Sequence, residues 1–184
     1  MLVLPDEIRT QRLVLRKPRA SDSPQIFSSY TSNAAVARFM VWRPHQEISE
    51  TAEFIAYCME AWDGNDKRPY VLALVDREDI PIGMLEGRLL SHTVDIGYVL
   101  EQKHWGSGLM SEAVTALSDA ALALPDCFRV QATCDVENVA SARTLKKSGF
   151  SLEGRLERFA VHPNIDPTPR PCLMFSRHKS TEAN

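Results

Sequence analysis

Apolar side chains recur at helical spacing in two long stretches of the chain. The first covers residues 49–62 and is followed by turn-forming residues at 63–66, and the second runs from Gly108 to the residue before Pro125. Apolar residues spaced three and four apart lie on one face of a helix, and proline disfavours helical backbone in the residue before it. Each stretch therefore predicts an amphipathic helix. The apolar positions are Ala52, Ile55, Ala56, Met59, Trp62, Met110, Ala113, Val114, Leu117, Ala120, Ala121 and Leu124.

Two shorter helices are predicted from their end signals. Ser21 or Asp22 can cap a helix that extends to about residue 30. A second short helix is predicted over 138–147, where Gly149 follows at a position that favours a left-handed cap.

Alternating or continuous apolar runs with turn residues between them predict about seven strands. Three of them are joined by short links and indicate an antiparallel meander. The proline-rich stretch 163–171 is predicted to be a stiff loop between the last two strands. Together these elements predict an α/β (α+β) fold, with a mixed, mostly antiparallel sheet and about four flanking helices. The strands are predicted at 12–16, 70–75, 82–90, 94–100, 130–134, 152–161 and 172–176.

Length and composition indicate one self-sufficient domain over residues 1–184. The hydrophobic content of 44% can supply a core without disulfides or metals. With 21 Lys and Arg against 24 Asp and Glu, the net charge is −3. This balance gives no general attraction to nucleic acid or to an anionic membrane.

Cysteine usage and the start of the chain predict a cytoplasmic protein. The four cysteines form no CxxC pair and lie in apolar stretches, so we expect reduced, buried thiols and no zinc site. Asp6 and Glu7 stand where a signal peptide would carry positive charge, and no run approaches 18 uninterrupted apolar residues.

The segment around Gly106-Ser107-Gly108 is the first with a chemical implication. A predicted strand ending at Leu100, a polar bend at 101–104 and two glycines before a helix present unpaired backbone N–H groups at the positive end of a helix dipole. Such a place binds phosphate, although the motif taken alone favours an ordinary glycine turn before a helix. The residues match neither GxGxxG nor GxxxxGK[ST], so Rossmann and P-loop sites lack their sequence.

Three segments in order, TQRLVLRKPRASD, DIGYVLEQKHWGSGLMSEA and DVENVASARTLKKSGFSLEGRLER, resemble the GNAT N-acetyltransferases. Within that family, the chain is similar to the branch that includes ribosomal-protein N-terminal acetyltransferases, over about residues 8–177. The resemblance implies a GNAT-like sheet and transfer of an acetyl group from acetyl-CoA to a primary amine, without a metal. The acceptor would be a small molecule or a protein N-terminus.

The resemblance also implies where the cofactor lies. The loop at 105–110 would wrap the coenzyme A pyrophosphate with backbone amides, and the strand at 98–100, bulged and splayed from its neighbour, would pair with the pantetheine arm. A backbone N–H near Val99 or Leu100 could then hold the oxyanion. Asn138 would lie by the cofactor, and its position also predicts a helix cap. The implied cofactor residues are Tyr98, Val99, Leu100, Trp105, Gly106, Ser107, Gly108, Leu109, Met110 and Asn138.

Three residues are candidates for catalysis. The resemblance implies that Ser141 lies near the thioester sulfur. Because Leu145 stands where many family members have an acid tyrosine, the acid role falls to Ser141 or to water. Asp95 and Glu157 are candidate general bases, directly or through water, although residue type alone favours an exposed, solvated carboxylate at each position. No cysteine has a recognisable nucleophile motif, so we expect direct attack in a ternary complex.

The sequence leaves the acceptor and two other functions open. The family resemblance implies that residues 39–44 line the acceptor site, and ordinary packing is the alternative. Protein N-termini, polyamines, amino sugars and small metabolites are all compatible with the fold, and a homodimer is possible. A non-catalytic acyl-CoA-binding module and a phosphate-binding transferase unrelated to coenzyme A are the alternative functions.

Overall fold

All strands of the described chain belong to one sheet. The computed structural model describes residues 2–64, 66–77 and 79–179, and within them the sheet has eight strands in the order β1-β2-β3-β4-β5-β6-β8-β7. Every neighbouring pair is antiparallel except β5 and β6. The mixed, mostly antiparallel sheet and the β3-β4-β5 meander are thus confirmed. The strands are β1 Glu7–Arg9, β2 Leu13–Arg16, β3 Lys67–Leu74, β4 Pro81–Leu90, β5 Thr93–Leu100, β6 Arg129–Asp135, β7 Ser151–His162 and β8 Asp166–His178.

Five α-helices flank the sheet in the described residues, and they include the four predicted ones. The additional helix, α2, has four residues and begins at Asn33, whose Oδ1 accepts the Ala35 N–H at 2.9 Å. The additional strand, β1, has only three residues, which is too short for an alternating pattern to reveal. The helices are α1 Ser23–Ile26, α2 Ala34–Ala37, α3 Ile48–Asp63, α4 Leu109–Ala123 and α5 Val139–Lys147, with a π turn at Phe27–Thr31 and 3-10 turns at Ala20–Asp22 and Gln102–His104.

The proline-rich stretch corrects the prediction of a loop, because only 163–165 form a turn and the rest belongs to β8. The prolines within β8 are Pro167, Pro169 and Pro171. They stand two residues apart, so their nitrogens face the same edge of the strand. This is the β6 edge, since the Pro171 carbonyl accepts the Val136 N–H at 3.3 Å. Because β6 ends at Asp135, the first two prolines point past its end, where no ladder hydrogen bond is needed.

Two hydrophobic clusters cover opposite faces of the sheet. The larger one places α4 against Leu72, Leu85 and their neighbours, and the smaller one joins α1 and α3 to Val71 and Met84. Adjacent residues of one strand thus point into different clusters, as the pleat requires. All four cysteines are buried and free, as predicted for reduced core thiols. Asn65 and Glu78, in two predicted turns, lie outside the described residues. None of the described helices has the length and apolar character needed to cross a membrane.

Glu112, in the first turn of α4, fastens this helix to the start of β2. Its Oε1 accepts the Thr10 hydroxyl at 2.6 Å and the Arg12 N–H at 2.9 Å, and its Oε2 accepts Arg12 Nε at 2.7 Å. Burial by itself would raise the pKa of Glu112, but these hydrogen bonds outweigh burial and hold the pKa below its ordinary value. The folded chain therefore favours the ionised form of Glu112 over the protonated form more strongly than the unfolded chain does.

We expect Glu112→Gln to lower the free energy of unfolding at pH 7 by about 1–3 kcal/mol, since hydrogen bonds to a charged group are lost. The folded pKa is depressed, so this contribution is present above the unfolded pKa of about 4.3 and disappears as pH falls through the folded pKa. Urea unfolding of the parent protein and of Glu112→Gln, at pH 7 and at pH 3, measures this difference in the free energy of unfolding. Glu7→Gln is the control, because the Glu7–Arg9 pair is exposed and should contribute less than about 1 kcal/mol. An equal difference in the free energy of unfolding at both pH values would contradict the stabilising role of the Glu112 carboxylate.

Candidate active site

Strand β5 loses one of its two neighbours halfway along its length. Thr93, Val94 and Asp95 pair with β6, but the pairing stops there, while β4 remains paired with β5 as far as Leu100. The backbone of residues 96–100 therefore has a free edge towards β6, which we call the β5 slot. The expected splay is present, whereas the expected bulge is wrong, because the register with β4 is uninterrupted.

The strand geometry decides which backbone groups face the β5 slot. The N–H of Glu101 donates to Ile82 O on the β4 side at 2.8 Å. Because N–H groups alternate between the two edges of a strand, Val99 also faces β4, while Tyr98 and Leu100 face the slot. Of the two candidate oxyanion donors, only the Leu100 N–H is thus directed into the opening.

The glycine loop between β5 and α4 closes one end of the slot. Gly106 and Gly108 have φ angles of 74° and 80°, in the left-handed region that favours glycine. A Cβ at Gly106 would meet no atom within 4 Å, so the backbone conformation, not crowding, requires glycine there. Trp105 Nε1 donates to Leu100 O at 2.8 Å and attaches the loop to the end of β5.

The start of α4 offers unpaired donors. Its N-cap is Gly108, which has no side chain to accept a hydrogen bond, and the helix continues for 15 residues. The first N–H groups therefore lack intrahelical partners and lie at the positive end of the dipole. Leu109 and Met110 are buried, and the Ser107 hydroxyl donates to His104 O at 2.5 Å. These three residues thus have only backbone groups to offer an anion.

Arg12 is a neighbour of this loop that the sequence analysis missed. Its Nη1 donates to Ser107 O at 3.0 Å, while its Nε is held by Glu112. A Cβ at Gly108 would lie 3.6 Å from Arg12 Nη2. The residue is 95 positions from Ser107 in the chain, and no local pattern indicates such a contact.

The start of α5 reaches the slot from the other side. Asn138 Oδ1 accepts the Ser141 N–H at 3.1 Å, which confirms Asn138 as the predicted helix cap. The Ser141 Oγ lies 2.8 Å from the Tyr98 hydroxyl, and the Ser141 carbonyl lies 3.3 Å from the same hydroxyl. Two residues predicted for different roles, Tyr98 and Ser141, therefore contact each other through their side chains.

Burial controls the acidity of the groups around Ser141. It raises the pKa of Tyr98 far above that of free tyrosine, although the Ser141 hydroxyl acts in the opposite direction. It also raises the pKa of the Cys134 thiol to about 11, and the Ser141 hydroxyl again opposes the change. The phenol that contacts the Ser141 hydroxyl and the nearby Cys134 thiol are therefore both neutral at physiological pH. Leu145 is fully buried in the larger cluster and contributes no polar group.

The two candidate bases lie apart from this pair. Asp95 is on the opposite face of β5 from Tyr98, and its Oδ2 accepts Arg88 Nη2 at 2.6 Å and Nε at 2.9 Å. Glu157 is on the edge strand β7, with an exposed carboxylate paired to Arg155 at 2.6 Å. Among the hydrogen bonds of the described residues, neither carboxylate contacts Tyr98 or Ser141, so any action would require water or the acceptor itself.

The segment 39–44 is held against the turn between β7 and β8. Asn164, in that turn, donates through Nδ2 to Ala37 O and Trp42 O, each at 2.7 Å. Val41 is 70% exposed between these attachments. The segment thus presents a large apolar side chain on a fixed loop. Within the described residues, no group of three or more His, Cys, Asp or Glu could hold a metal ion.

Comparison with known proteins agrees with this geometry. The chain is 28% identical to the N-acetyltransferase p20 of Bacillus licheniformis over 158 residues, 84% of this chain and 87% of that protein. It is 33% identical to the ribosomal-protein-serine acetyltransferase of Escherichia coli K12 over 88 residues, 46% and 49% of the two chains.

Solved structures share the fold. The microcin C7 self-immunity acetyltransferase, in complex with acetyl-CoA and AMP, has a TM-score of 0.82 at 20% identity, covering 92% of this chain and 93% of that one. A ribosomal L7/L12 α-N-protein acetyltransferase, in complex with coenzyme A, has a TM-score of 0.81 at 21% identity, covering 94% and 97%. Residues 12–151 match the acetyltransferase (GNAT) domain family. The chain, with its splayed strand and glycine loop, belongs to the GNAT acetyltransferases.

Proposed function

We propose that the chain is one N-acetyltransferase domain that transfers the acetyl group of acetyl-CoA to the primary amine of a protein N-terminus. The observation that carries the proposal is the β5 slot, whose free edge meets the donor-rich start of α4 at one end. Transfer proceeds by direct attack within a ternary complex, and the enzyme acts in the cytoplasm. The net charge of −3 gives no general attraction for an anionic cofactor, so local groups at the slot must hold it.

Acetyl-CoA fits the slot by its chemistry. Its pyrophosphate would receive N–H groups of the 105–110 loop and the positive end of the α4 dipole. Its pantetheine amides would pair with the free edge of β5, as an added strand would. Two structural neighbours are described with coenzyme A or acetyl-CoA, and in one the coenzyme is joined to a cysteine through a disulfide.

The residues around the slot can perform each step of acyl transfer. The thioester supplies an activated acetyl carbonyl, and the neutral amine attacks that carbon. The Leu100 N–H donates to the oxygen that gains negative charge. The Ser141 hydroxyl gives a proton to the departing sulfur. Asp95 and Glu157 are the candidate acceptors, through water, for the proton that the amine loses.

A protein N-terminus is the acceptor that the relatives favour. One curated relative is named for a ribosomal-protein serine, and one structural neighbour for the α-amine of ribosomal L7/L12. The other neighbour is described with AMP, which keeps small molecules as the alternative. The exposed side chain of Val41, on the fixed 39–44 segment, offers an apolar contact for an extended peptide.

Acetyl-CoA turnover with matched acceptors tests the proposal. Thiol release is measured with peptides that begin with a free Ser or Ala, with the same peptides N-acetylated, and with spermidine, an amino sugar and an aminoacyl-AMP analogue. Free peptides should react at least about 10-fold faster than blocked ones, and initial-rate plots should intersect. Saturable coenzyme A binding with no thiol release from any acceptor would favour the non-catalytic module. Parallel initial-rate lines would indicate an acyl-enzyme instead.

The pyrophosphate assignment is tested by comparing Gly106→Asp with Gly106→Asn. Both side chains tolerate left-handed backbone better than most, and a Cβ there enters open space, so the two variants differ mainly in charge. The carboxylate should weaken coenzyme A affinity by about 10-fold or more relative to the amide, since about 1.4 kcal/mol of repulsion suffices. Calorimetric titration measures both constants, and pantetheine without phosphates is the control ligand. Equal coenzyme A affinities in the two variants would place the pyrophosphate elsewhere.

A further inference from the structure

The Tyr98–Ser141 contact joins two elements that border the β5 slot. Tyr98 lies on β5 and Ser141 on the first turns of α5, 43 residues later. Their hydroxyl oxygens are 2.8 Å apart, which is the usual length of an O–H···O hydrogen bond. The contact is part-buried, so water competes with it only weakly.

The direction of this hydrogen bond follows from acidity and neighbours. Burial raises the pKa of Tyr98, so its phenol keeps its proton throughout the physiological range. The phenol has one proton, and the nearer of its two acceptors is Ser141 Oγ, at 2.8 Å against 3.3 Å for the Ser141 carbonyl. When Tyr98 donates to Oγ, the serine proton must point elsewhere.

The Ser141 side chain is directed to β5 and not back along its own helix. Ser141 lies close enough to Cys134 for its hydroxyl to lower the pKa of that thiol against the effect of burial. A serine hydroxyl within a helix can donate to the carbonyl three or four residues earlier. For Ser141 those carbonyls belong to Asn138 and Glu137, whereas the hydrogen bond of its hydroxyl in the described residues goes to Tyr98. The Ser141 hydroxyl is thus held at the side of α5 that borders the β5 slot.

We propose that Tyr98 is a positioning residue for acetyl transfer: its phenol donates to Ser141 Oγ and thereby directs the serine proton to the departing sulfur. This inference rests on the proposed function. As the C–S bond breaks, its electron pair stays on sulfur, and the Ser141 proton moves to that sulfur to form the thiol. The proton lost by the amine returns to Oγ through water, and Tyr98 keeps its own. Ser141 thus takes the acid role that Leu145 cannot perform, and the Tyr98 phenol orients it from another element.

A double-mutant cycle of Tyr98→Phe and Ser141→Ala tests the inference. Tyr98→Phe should lower kcat by about 10-fold or more, because it removes part of a general-acid effect worth about 10²–10⁴-fold. The KM for acetyl-CoA should change less than about 2-fold, since the backbone edge of β5 is retained. The double variant should be no slower than Ser141→Ala alone, because groups that act as a unit are non-additive.

The matched control is Tyr57→Phe, which removes a phenolic hydroxyl from the exposed surface of α3, where its partner is Lys67. It should leave kcat unchanged. A kcat of Tyr98→Phe within 2-fold of the parent, or multiplicative losses in the double variant, would overturn the inference while the proposed function stands. A Tyr98→Phe variant that lost only acetyl-CoA affinity, with kcat unchanged, would also overturn the inference.

Crystal structures with bound coenzyme A give a readout that needs no turnover. In the parent protein, Ser141 Oγ should lie within about 3.5 Å of the coenzyme sulfur and within hydrogen-bond distance of Tyr98. In Tyr98→Phe, Ser141 should rotate to donate to the Glu137 carbonyl. An unchanged Ser141 rotamer in the variant would overturn the positioning role, whatever the outcome of the acceptor screen.

Discussion

The early end of β5–β6 pairing is the constraint on which the rest of the site depends. A parallel pair that continued to Leu100 would satisfy both edges of β5 and leave no backbone group for a ligand. Instead, β6 gives its other edge to β8 as far as Asp135, and the chain then turns into α5. The opening is therefore a consequence of strand divergence within a continuous sheet, and it needs no separate cavity or lid.

Three elements converge on this opening because each begins or ends there. Strand β5 ends at Leu100, where Trp105 attaches the glycine loop through its indole N–H. Helix α4 begins at Gly108, fastened to the start of β2 through Glu112 and Arg12. Helix α5 starts next to the end of β6 and brings its first turns to Tyr98. Helix starts supply unpaired N–H groups, so an anion and an acyl group can be held by backbone alone.

The local electrostatics explain how a chain with net negative charge can hold a phosphate-bearing ligand. Glu112, the acidic residue of the first turn of α4, is neutralised by Arg12 and so does not oppose an anion at the helix start. The hydroxyl and thiol around Ser141 are uncharged, since burial raises the pKa of both Tyr98 and Cys134. The end of the slot at the start of α4 is thus polar and positive, whereas the end near Ser141 is neutral.

Local pattern determined most of the elements and the position of the loop. Helical spacing predicted α3 and α4, and cap chemistry predicted Asn138, because those signals lie within a few residues of one another. The same reasoning was wrong for the prolines of β8, whose tolerance depends on where a neighbouring strand ends. The splay of β5, the Arg12 contact and the Tyr98–Ser141 hydrogen bond were decided only by the tertiary structure. Each joins groups that are distant in sequence, and their geometry depends on packing across the whole sheet.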